Sequence, residues 1–299
     1  MTDFVQILVS GLTVGSVIAL VAFGYNIVFA ATRIVNFAQG SMLVVAGYIA
    51  FSVTRAGVPI WGAFLISILA SLGVGVLVEI VAIKPLGRFD PSTNVGWILT
   101  TFGVSLIAVD LIKKTVGAEA RPLAPLASSI FGWKVARISG VAITVPDVIL
   151  VVATILIVIG LEQLQTRTAL GRAFRAVSED RQTAGLMGIN TELTVMITFA
   201  LAGALAAIGA VLIAPRLFVK LDLGVNLGVQ AFIAAVLGGL GSTRGAIVGG
   251  YVIGFTTAIV STITSEGGSW GPVVVFVVFL AVLVARPEGI FGSPAVEKV

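Results

Sequence analysis

The side-chain types that carry most enzyme chemistry are missing from this sequence. It has no histidine and no cysteine, which excludes imidazole and thiolate metal sites, disulfides, and Cys–His or Ser–His–Asp catalytic arrangements. No lysine follows a glycine, so the Gly-Lys-Ser/Thr step of a Walker A phosphate loop is also absent. We therefore expect no metal or redox chemistry as the main activity and no cofactor, and any ATP hydrolysis must occur on another subunit.

The clearest polar pattern lies between positions 170 and 187. Apolar residues at i, i+4, i+7 and i+14 share one helical face, and these are Leu170, Phe174, Val177 and Ala184. The opposite face carries Arg172, Arg175, Glu179 and Gln182. This spacing predicts one amphipathic helix, with Gly188 as its C-terminal cap and Asn190 or Thr191 capping the next helix. Two interpretations are open: a solvated loop helix, or a helix that docks into a groove on a partner protein.

Two further polar clusters interrupt apolar segments. The segment 238–250 has six glycines in 13 residues, which predicts a sharp break between helices at Gly238, Gly239, Gly241 and Ser242. The segment 32–40 is either a plain connecting loop or a second break, with Asn36, Gln39 and Gly40 at its centre. Broken helices beside a pathway expose backbone N–H and C=O groups to a substrate. Asn26, within the first apolar segment, is expected to bond a neighbouring backbone carbonyl.

Ionisable residues inside the apolar segments are few. Glu79 can reach the membrane interface near Lys84, Asp110 is spaced for an ion pair with Lys113 or Lys114, and Glu162 lies at a segment end. A buried unpaired charge costs at least about 2.5–3.5 kcal/mol in a membrane. The lack of a chain of such acids counts against a proton-coupled carrier.

These polar groups must be positioned by membrane helices. Of 299 residues, 58% are hydrophobic and 11% are charged, with a mean hydropathy of +1.13, whereas a soluble domain has roughly 25% charged residues. The net charge of +4 is spread over short loops, which indicates no nucleic-acid partner. Nine apolar segments of unequal quality are candidate membrane spans, at 4–31, 37–53, 60–82, 95–112, 144–162, 193–214, 225–240, 246–265 and 271–285.

The sequence therefore predicts an all-α, polytopic transmembrane bundle with eight or nine spans, forming one domain over 1–299. The segments 37–53 and 225–240 are the candidates for broken or re-entrant helices, because the first is short and the second contains polar residues and glycines. The connection 113–143 is predicted to form a small β-hairpin or irregular cap. If 163–192 lies inside the cell, alternation of the spans places the N-terminus outside and the C-terminus in the cytoplasm.

Four motifs follow one another in a fixed order. They are Asn36-Phe-Ala-Gln-Gly40; Gly171-Arg-Ala-Phe-Arg-Ala-Val-Ser-Glu-Asp180 with Gly188-Ile-Asn190; Gly238-Gly-Leu-Gly-Ser242 with Gly245-Ala and Gly249-Gly250; and Arg286-Pro-Glu-Gly-Ile-Phe-Gly292. In this order the chain resembles the permease of bacterial branched-chain amino acid ABC importers, LivH type, over essentially its whole length.

The resemblance implies a multi-pass subunit of the bacterial inner membrane that imports leucine, isoleucine or valine. Such a permease subunit is not an enzyme and has no catalytic residue. Its implied partners are a second, related permease, two cytoplasmic ATP-binding subunits that hydrolyse the ATP, and a periplasmic binding protein that faces the 113–143 cap. The loop 163–192 then holds the ATPase-coupling residues, which are Arg172, Arg175, Glu179, Asp180, Ala184, Gly185 and Gly188. The chain has Glu179-Asp180-Arg181 where the general ABC-permease consensus has Glu-Ala-Ala.

Three other functions remain open at this point. The nearest is a related importer for urea, amides or other amino acids, because the same motifs recur in such systems. An ion- or proton-coupled secondary carrier belongs to a different class, and the missing buried acids disfavour it. A purely structural membrane scaffold is the third, although the polar breaks would then have no purpose.

Overall fold

The computed structural model describes residues 2–86, 95–126, 135–138, 141–264 and 270–292. Helices make up most of this part of the chain, in agreement with the predicted all-α bundle. They are α1 (Thr2–Thr32), α2 (Gln39–Arg55), α3 (Ile60–Val78), α4 (Gly96–Thr115), α5 (Val145–Arg167), α6 (Ala169–Glu179), α7 (Arg181–Leu186), α8 (Thr191–Leu217), α9 (Asp222–Gly238), α10 (Thr243–Ile263) and α11 (Gly271–Ala285). A π-helical segment, Glu79–Ile83, and a 3-10 turn, Lys84–Leu86, extend α3.

Each of the nine predicted apolar segments coincides with a helix, but they differ in length. Within the described ranges, six helices are long and apolar enough to cross a membrane: α1, α3 with its extension, α4, α5, α8 and α10. This is fewer than the predicted eight or nine spans. The other three, α2, α9 and α11, have only 17, 17 and 15 residues. At 1.5 Å per residue, 17 residues reach about 25 Å, short of the hydrocarbon thickness of roughly 30 Å.

The core lies around α1, α2, α8 and α9, and small residues let these helices approach their neighbours closely. A Cβ at Gly250 of α10 would collide with Ala19 of α1, and one at Gly203 of α8 would collide with the backbone of Ser71 of α3. Such contacts are the usual basis of helix packing in a bilayer, where the hydrophobic effect does not drive association. The peripheral helices instead expose large apolar side chains, such as Leu99 and Ile107 of α4.

The predicted hairpin is present at one end of the bundle. Strands β1 (Val135–Ile138) and β2 (Val141–Thr144) pair antiparallel, with Val135 opposite Thr144. Residues 127–134 and 139–140 of the predicted cap lie outside the described residues. Thr144 leads directly into α5 through a capping box with Asp147. We call this end, which also holds the α8–α9 connection, the hairpin end.

The opposite end carries α6 and α7, and we call it the α6 end. The end of α1, the end of α5 and the start of α10 also lie at the α6 end. Arg33, directly after α1, donates a hydrogen bond to Ser178 of α6, and Arg244 of α10 forms an ion pair with Glu162 of α5. At the hairpin end, Arg121 pairs through its backbone with Val219. The predicted ion pair of Asp110 with Lys114 is confirmed at 2.7 Å.

Candidate functional site

The segment 33–38 is a buried break rather than a surface loop. It separates α1 from α2 without helical structure, and Ile34, Val35, Asn36 and Ala38 are all buried. The break begins where Arg33 adopts a left-handed backbone, with φ +58°. The chain therefore turns back into the bundle before α2 starts.

Two amides hold this first break in place, and each is only partly satisfied. Asn36 Oδ1 accepts a hydrogen bond from the Ala38 N–H at 3.1 Å, and Gln39 Nε2 donates to the Ala202 carbonyl of α8 at 3.0 Å. Both side chains are fully buried. Among the residues that the structure describes, Asn36 Nδ2 and Gln39 Oε1 have no partner. Buried polar groups are usually paired, so two unpaired amide groups in one break are unusual.

Gly40 lies where α2 crosses α9. A Cβ at Gly40 would collide with the Gly224 carbonyl, and Gly228 lies against the other side of the same crossing. The two short helices, which the sequence singled out as broken or re-entrant candidates, are therefore packed directly against each other. A side chain at Gly40 would push them apart.

The second break, 239–242, connects α9 to α10 at the α6 end. Gly239 and Gly241 both have positive φ, +103° and +86°, a backbone conformation that glycine adopts without steric cost. Gly238 packs on Gly245 so closely that a Cβ on either would meet the other's backbone. Ser242 Oγ accepts a hydrogen bond from the Gly245 N–H at 3.1 Å and so caps α10. The predicted sharp turn is present at the predicted residues.

Asn26 of α1 forms hydrogen bonds with the backbone of this second break. Its Nδ2 donates to the Ser242 carbonyl at 2.8 Å and to the Gly239 carbonyl at 3.5 Å, and its Oδ1 accepts from the Gly241 N–H at 3.3 Å. The side chain is 2% exposed. The expectation that Asn26 bonds a backbone carbonyl is met, and the structure shows that this carbonyl belongs to the break.

The segment after α11 also covers the second break, a role that the sequence did not indicate. The Ile290 N–H donates to the Leu237 carbonyl at 2.9 Å, and the Phe291 N–H donates to the Gly238 carbonyl at 3.0 Å. These bonds satisfy carbonyls at the end of α9 that the helix itself cannot pair. In the motif 286–292, Gly289 lies against the backbone of Gly239, and a side chain at this position would collide with it.

The single helix predicted over 170–187 is wrong, because Asp180 divides it into α6 and α7. Asp180 has an extended backbone, and its Oδ1 accepts hydrogen bonds from the Gln182 and Thr183 N–H groups at 2.8 and 3.0 Å. Aspartate is among the best N-terminal caps, so at this position it starts a new helix instead of continuing the old one. The predicted caps at Gly188, with φ +82°, and at Asn190, which accepts from the Leu193 N–H, are confirmed.

The buried face of α6–α7 differs from the predicted one at its first residue. Phe174, Val177 and Ala184 are buried as predicted, but Leu170 is 46% exposed and Gly171 is buried in its place. The reason is the close packing of Gly171 on the backbone of Gln165 at the end of α5, which leaves no room for a side chain on that side.

The coupling candidates lie mostly on the outer surface of α6–α7. The exposed ones are Arg172, Arg175, Glu179, Asp180, Gly185 and Gly188, whereas Ala184 is buried. Sequence reasoning missed two neighbours, Leu186 and Met187, which are 88% and 79% exposed. The available signal was a pair of large apolar residues between Gly185 and the Gly188 cap, one at the end of α7 and one directly after it.

The structure brings α6 and both breaks together. Arg33 Nη2, at the first break, donates to the Ser178 carbonyl of α6 at 3.2 Å. A cavity of about 100 Å³ separates α6 from the second break, and its lining includes Asn26, Gly241 and Thr243 on one side and Phe174, Arg175 and Ser178 on the other. Thr243 Oγ1 also lies 3.1 Å from Gln165 Oε1 at the end of α5. Two groups of residues that the sequence identified separately are therefore neighbours at the α6 end.

Comparison with known proteins identifies a family for this chain. The family model described as "Branched-chain amino acid transport system / permease component" matches residues 7–283. The chain is 34% identical to the high-affinity branched-chain amino acid transport system permease protein BraD of Pseudomonas aeruginosa, over 99% of this chain and 98% of that protein. It is 31% identical to the corresponding permease protein LivH of Escherichia coli, with the same two coverages.

Among solved structures, PsaBC from Streptococcus pneumoniae in complex with Fab matches with a TM-score of 0.48 and 16% identity, over 95% of this chain and 94% of that chain. This likeness is too distant to support an inference. The family match spans almost the whole bundle, from α1 to α11, and both breaks. The chain therefore belongs to the family of permease components of branched-chain amino acid transport systems.

Proposed function

We propose that this chain is the membrane-spanning permease subunit of an ATP-driven importer for leucine, isoleucine and valine. Family membership supports the role of a permease, and the names of the BraD and LivH relatives support the substrate class. In this proposal the chain forms half of the pathway with a second, related permease. Two cytoplasmic ATPases supply the energy, and a periplasmic binding protein delivers the amino acid.

The observation that carries the proposal is the position of α6. This helix exposes Arg172 and Glu179 on its outer face. On its inner side, Ser178 accepts a hydrogen bond from Arg33 at the first break, and α6 and the second break line the same cavity. An ATPase that binds the outer face can therefore move both breaks by moving one short helix. Leu186 and Met187 add exposed apolar surface of the kind that fills a pocket at the centre of an interface.

The first break supplies a polar lining for the pathway. The unpaired groups of Asn36 and Gln39 lie inside the bundle, where each unpaired polar group costs about 1–3 kcal/mol. A conformation that exposes them to water or to the polar end of an amino acid removes this cost. Alternating access then consists of opening and closing the bundle at α2 and α9, which cross at Gly40.

This proposal also sets the orientation in the bacterial inner membrane. The α6 end faces the cytoplasm, where the ATPases are, and the hairpin end faces the periplasm. The N-terminal end of α1 lies at the hairpin end and the segment after α11 lies at the α6 end. The N-terminus is then outside and the C-terminus inside.

The names of the relatives favour branched-chain amino acids over urea, amides or other substrates. An ion-coupled carrier and a structural scaffold draw no support from the family match. Deleting the ATPases separates the first of these from an importer, because an ion-coupled carrier keeps its uptake without them.

The decisive experiment exchanges two charges on α6. Arg175→Glu together with Glu179→Arg keeps the net charge, and we expect normal membrane insertion, loss of leucine uptake and loss of ATPase co-purification. The matched control exchanges the exposed pair at the hairpin end, Asp110→Lys with Lys114→Asp, and should leave uptake unchanged. Normal uptake by the α6 variant would count against the proposal.

A further inference from the structure

A second cavity lies at the hairpin end, between α1, the first turn of α5 and the last turn of α8. Its volume is about 240 Å³, and its lining includes Thr13, Asp147, Leu150, Leu212, Ile213 and Arg216. A cavity of roughly 150 Å³ is enough for benzene, so this one accommodates a molecule of the size of leucine. No sequence pattern singled out Asp147 or Arg216, because each lies at the end of an apolar segment.

Opposite charges define one side of this cavity. Arg216 Nη1 lies 2.7 Å from Asp147 Oδ1, and Arg216 Nη2 donates to Ser10 Oγ at 3.1 Å. Asp147 Oδ2 accepts hydrogen bonds from the N–H and the hydroxyl of Thr144, at 3.2 and 2.7 Å. The Asp147 side chain is nearly buried, whereas the Arg216 side chain is 38% exposed. A fixed carboxylate thus holds a guanidinium that is accessible from outside.

The other side of the cavity is aliphatic. Leu150 of α5 and Leu212 and Ile213 of α8 line it, and all three are buried in the bundle. Such a division between one charged side and one branched aliphatic side corresponds to the two ends of an amino acid such as leucine. Small-molecule sites commonly combine apolar walls with a few placed polar groups in this way.

We propose that this cavity is a binding site for a zwitterionic amino acid with an aliphatic side chain. Arg216 binds the α-carboxylate, Asp147 binds the α-ammonium, and Leu150, Leu212 and Ile213 contact the side chain. The inference rests on the proposed function, which places the hairpin end on the side where the amino acid arrives. The site is then the first contact of the substrate with the permease.

Charge balance makes the site selective for zwitterions. An amino acid that inserts between Asp147 and Arg216 replaces one ion pair by two, so every charge keeps a partner. A ligand with only an amine or only a carboxylate leaves one protein charge unpaired in a partly buried site, which is strongly unfavourable. The selectivity therefore depends on the energetic cost of binding the wrong ligands as much as on the contacts made with the right one.

The first test uses the full chain in lipid nanodiscs and three ligands of similar shape. We expect saturation-transfer NMR to detect binding of L-leucine, and binding weaker by about 10- to 100-fold for 4-methylpentanoate, which lacks the amine, and for isoamylamine, which lacks the carboxylate. Equal binding of all three ligands overturns the proposal, as does an absence of leucine binding at about 10 mM.

The second test uses variants that do not disturb the cap of α5. Arg216→Lys keeps the charge but loses the planar fork of donors, and Leu212→Trp fills the apolar side; each should weaken leucine binding about 10-fold or more. Arg244→Lys changes an exposed ion pair at the α6 end and is the matched control with unchanged binding. Leucine binding that survives both cavity variants overturns the site.

Uptake by the complete importer separates this inference from the proposed function. If wild-type complexes take up leucine with ATP while Arg216→Lys and Leu212→Trp leave uptake and binding unaltered, only the site is wrong. If wild-type complexes show no ATP-dependent leucine uptake, the proposed function is wrong. We expect ATP-dependent uptake in the wild type and a loss of about 10-fold in its rate at low leucine concentration in each variant.

Discussion

Each of the two helix breaks of this protein connects one helix of the bundle to the next, but the two differ in how their polar groups are paired. At the second break, 239–242, Asn26 and the segment around Ile290 supply hydrogen bonds to the exposed backbone. The first break, 33–38, lies deeper in the bundle, and it leaves amide groups of Asn36 and Gln39 unpaired within the described ranges. The second break therefore has several hydrogen bonds from other segments, whereas two buried amide groups at the first break have no partner in the described part of the chain.

This contrast indicates which of the two breaks is able to change its conformation. A satisfied buried network fixes one geometry, since any movement breaks several bonds at once. A break with unpaired groups has less to lose and gains partners if it opens. We therefore regard the second break as a rigid joint and the first as the adaptable part of the proposed pathway. Five substitutions, in order of expected effect, can contradict or refine this view.

The largest effect is expected from Gly238→Val in the rigid joint. Any Cβ there collides with the backbone of Gly245, so α9 and α10 cannot meet, and we expect a destabilisation of about 3 kcal/mol or more and little folded protein. Size-exclusion chromatography of a fluorescent fusion measures the yield. Gly73→Val is the control, because a Cβ at Gly73 meets nothing within 4 Å. An equal yield of both variants would show that the joint tolerates displacement.

Asn26→Ala should have the next largest effect, and it should act on stability. The substitution leaves backbone groups of Gly241 and Ser242 without their side-chain partner, for which we expect a loss of about 1–3 kcal/mol. The apparent Tm in detergent reports this change. Asn226→Ala, at an exposed position on α9, serves as the control and should leave the Tm within error. A Tm for Asn26→Ala equal to that of the control would remove the case for a rigid joint.

Asn36→Ser, in the adaptable break, should affect transport more than stability. Serine retains an oxygen that can accept from the Ala38 N–H and removes the unpaired Nδ2. We expect a stability change within about 1 kcal/mol and an uptake rate lower by about 10-fold. Leucine uptake into proteoliposomes, together with the Tm, distinguishes the two effects. A fall in Tm without a fall in uptake would make this break a structural element like the other.

The smallest effects are expected at the two exposed contacts that join the breaks to neighbouring segments. Arg33→Ala removes the bond to the Ser178 carbonyl, and Arg244→Ala removes the ion pair with Glu162. Neither should change stability by more than about 0.5 kcal/mol, since both contacts are exposed. We expect a reduction of uptake by about two- to threefold for Arg33→Ala and no change for Arg244→Ala, because only the former touches the adaptable break. The reverse order would exchange the roles of the two breaks.

Much of the fold and part of the site followed from local sequence patterns. The nine apolar segments predicted nine helices, and the glycine cluster predicted the turn at Gly239 and Gly241, because hydropathy and positive φ are properties of short stretches of chain. The single helix over 170–187 was wrong because the helical periodicity of the apolar face continues across Asp180, whereas capping at this residue depends on its own backbone conformation.

The sequence by itself determined that this protein lies in a membrane, that a glycine-rich break separates two of its helices at 238–242, and that an amphipathic segment lies outside the apolar segments. Only the tertiary structure decided which groups meet: Asn26 with the second break, Arg33 with α6, and Asp147 with Arg216, 69 positions away. The physical reason is that hydropathy and turn formation depend on neighbours along the chain. Pairing of polar groups depends on how helices pack, and close packing at small residues such as Gly203 and Gly250 sets that arrangement.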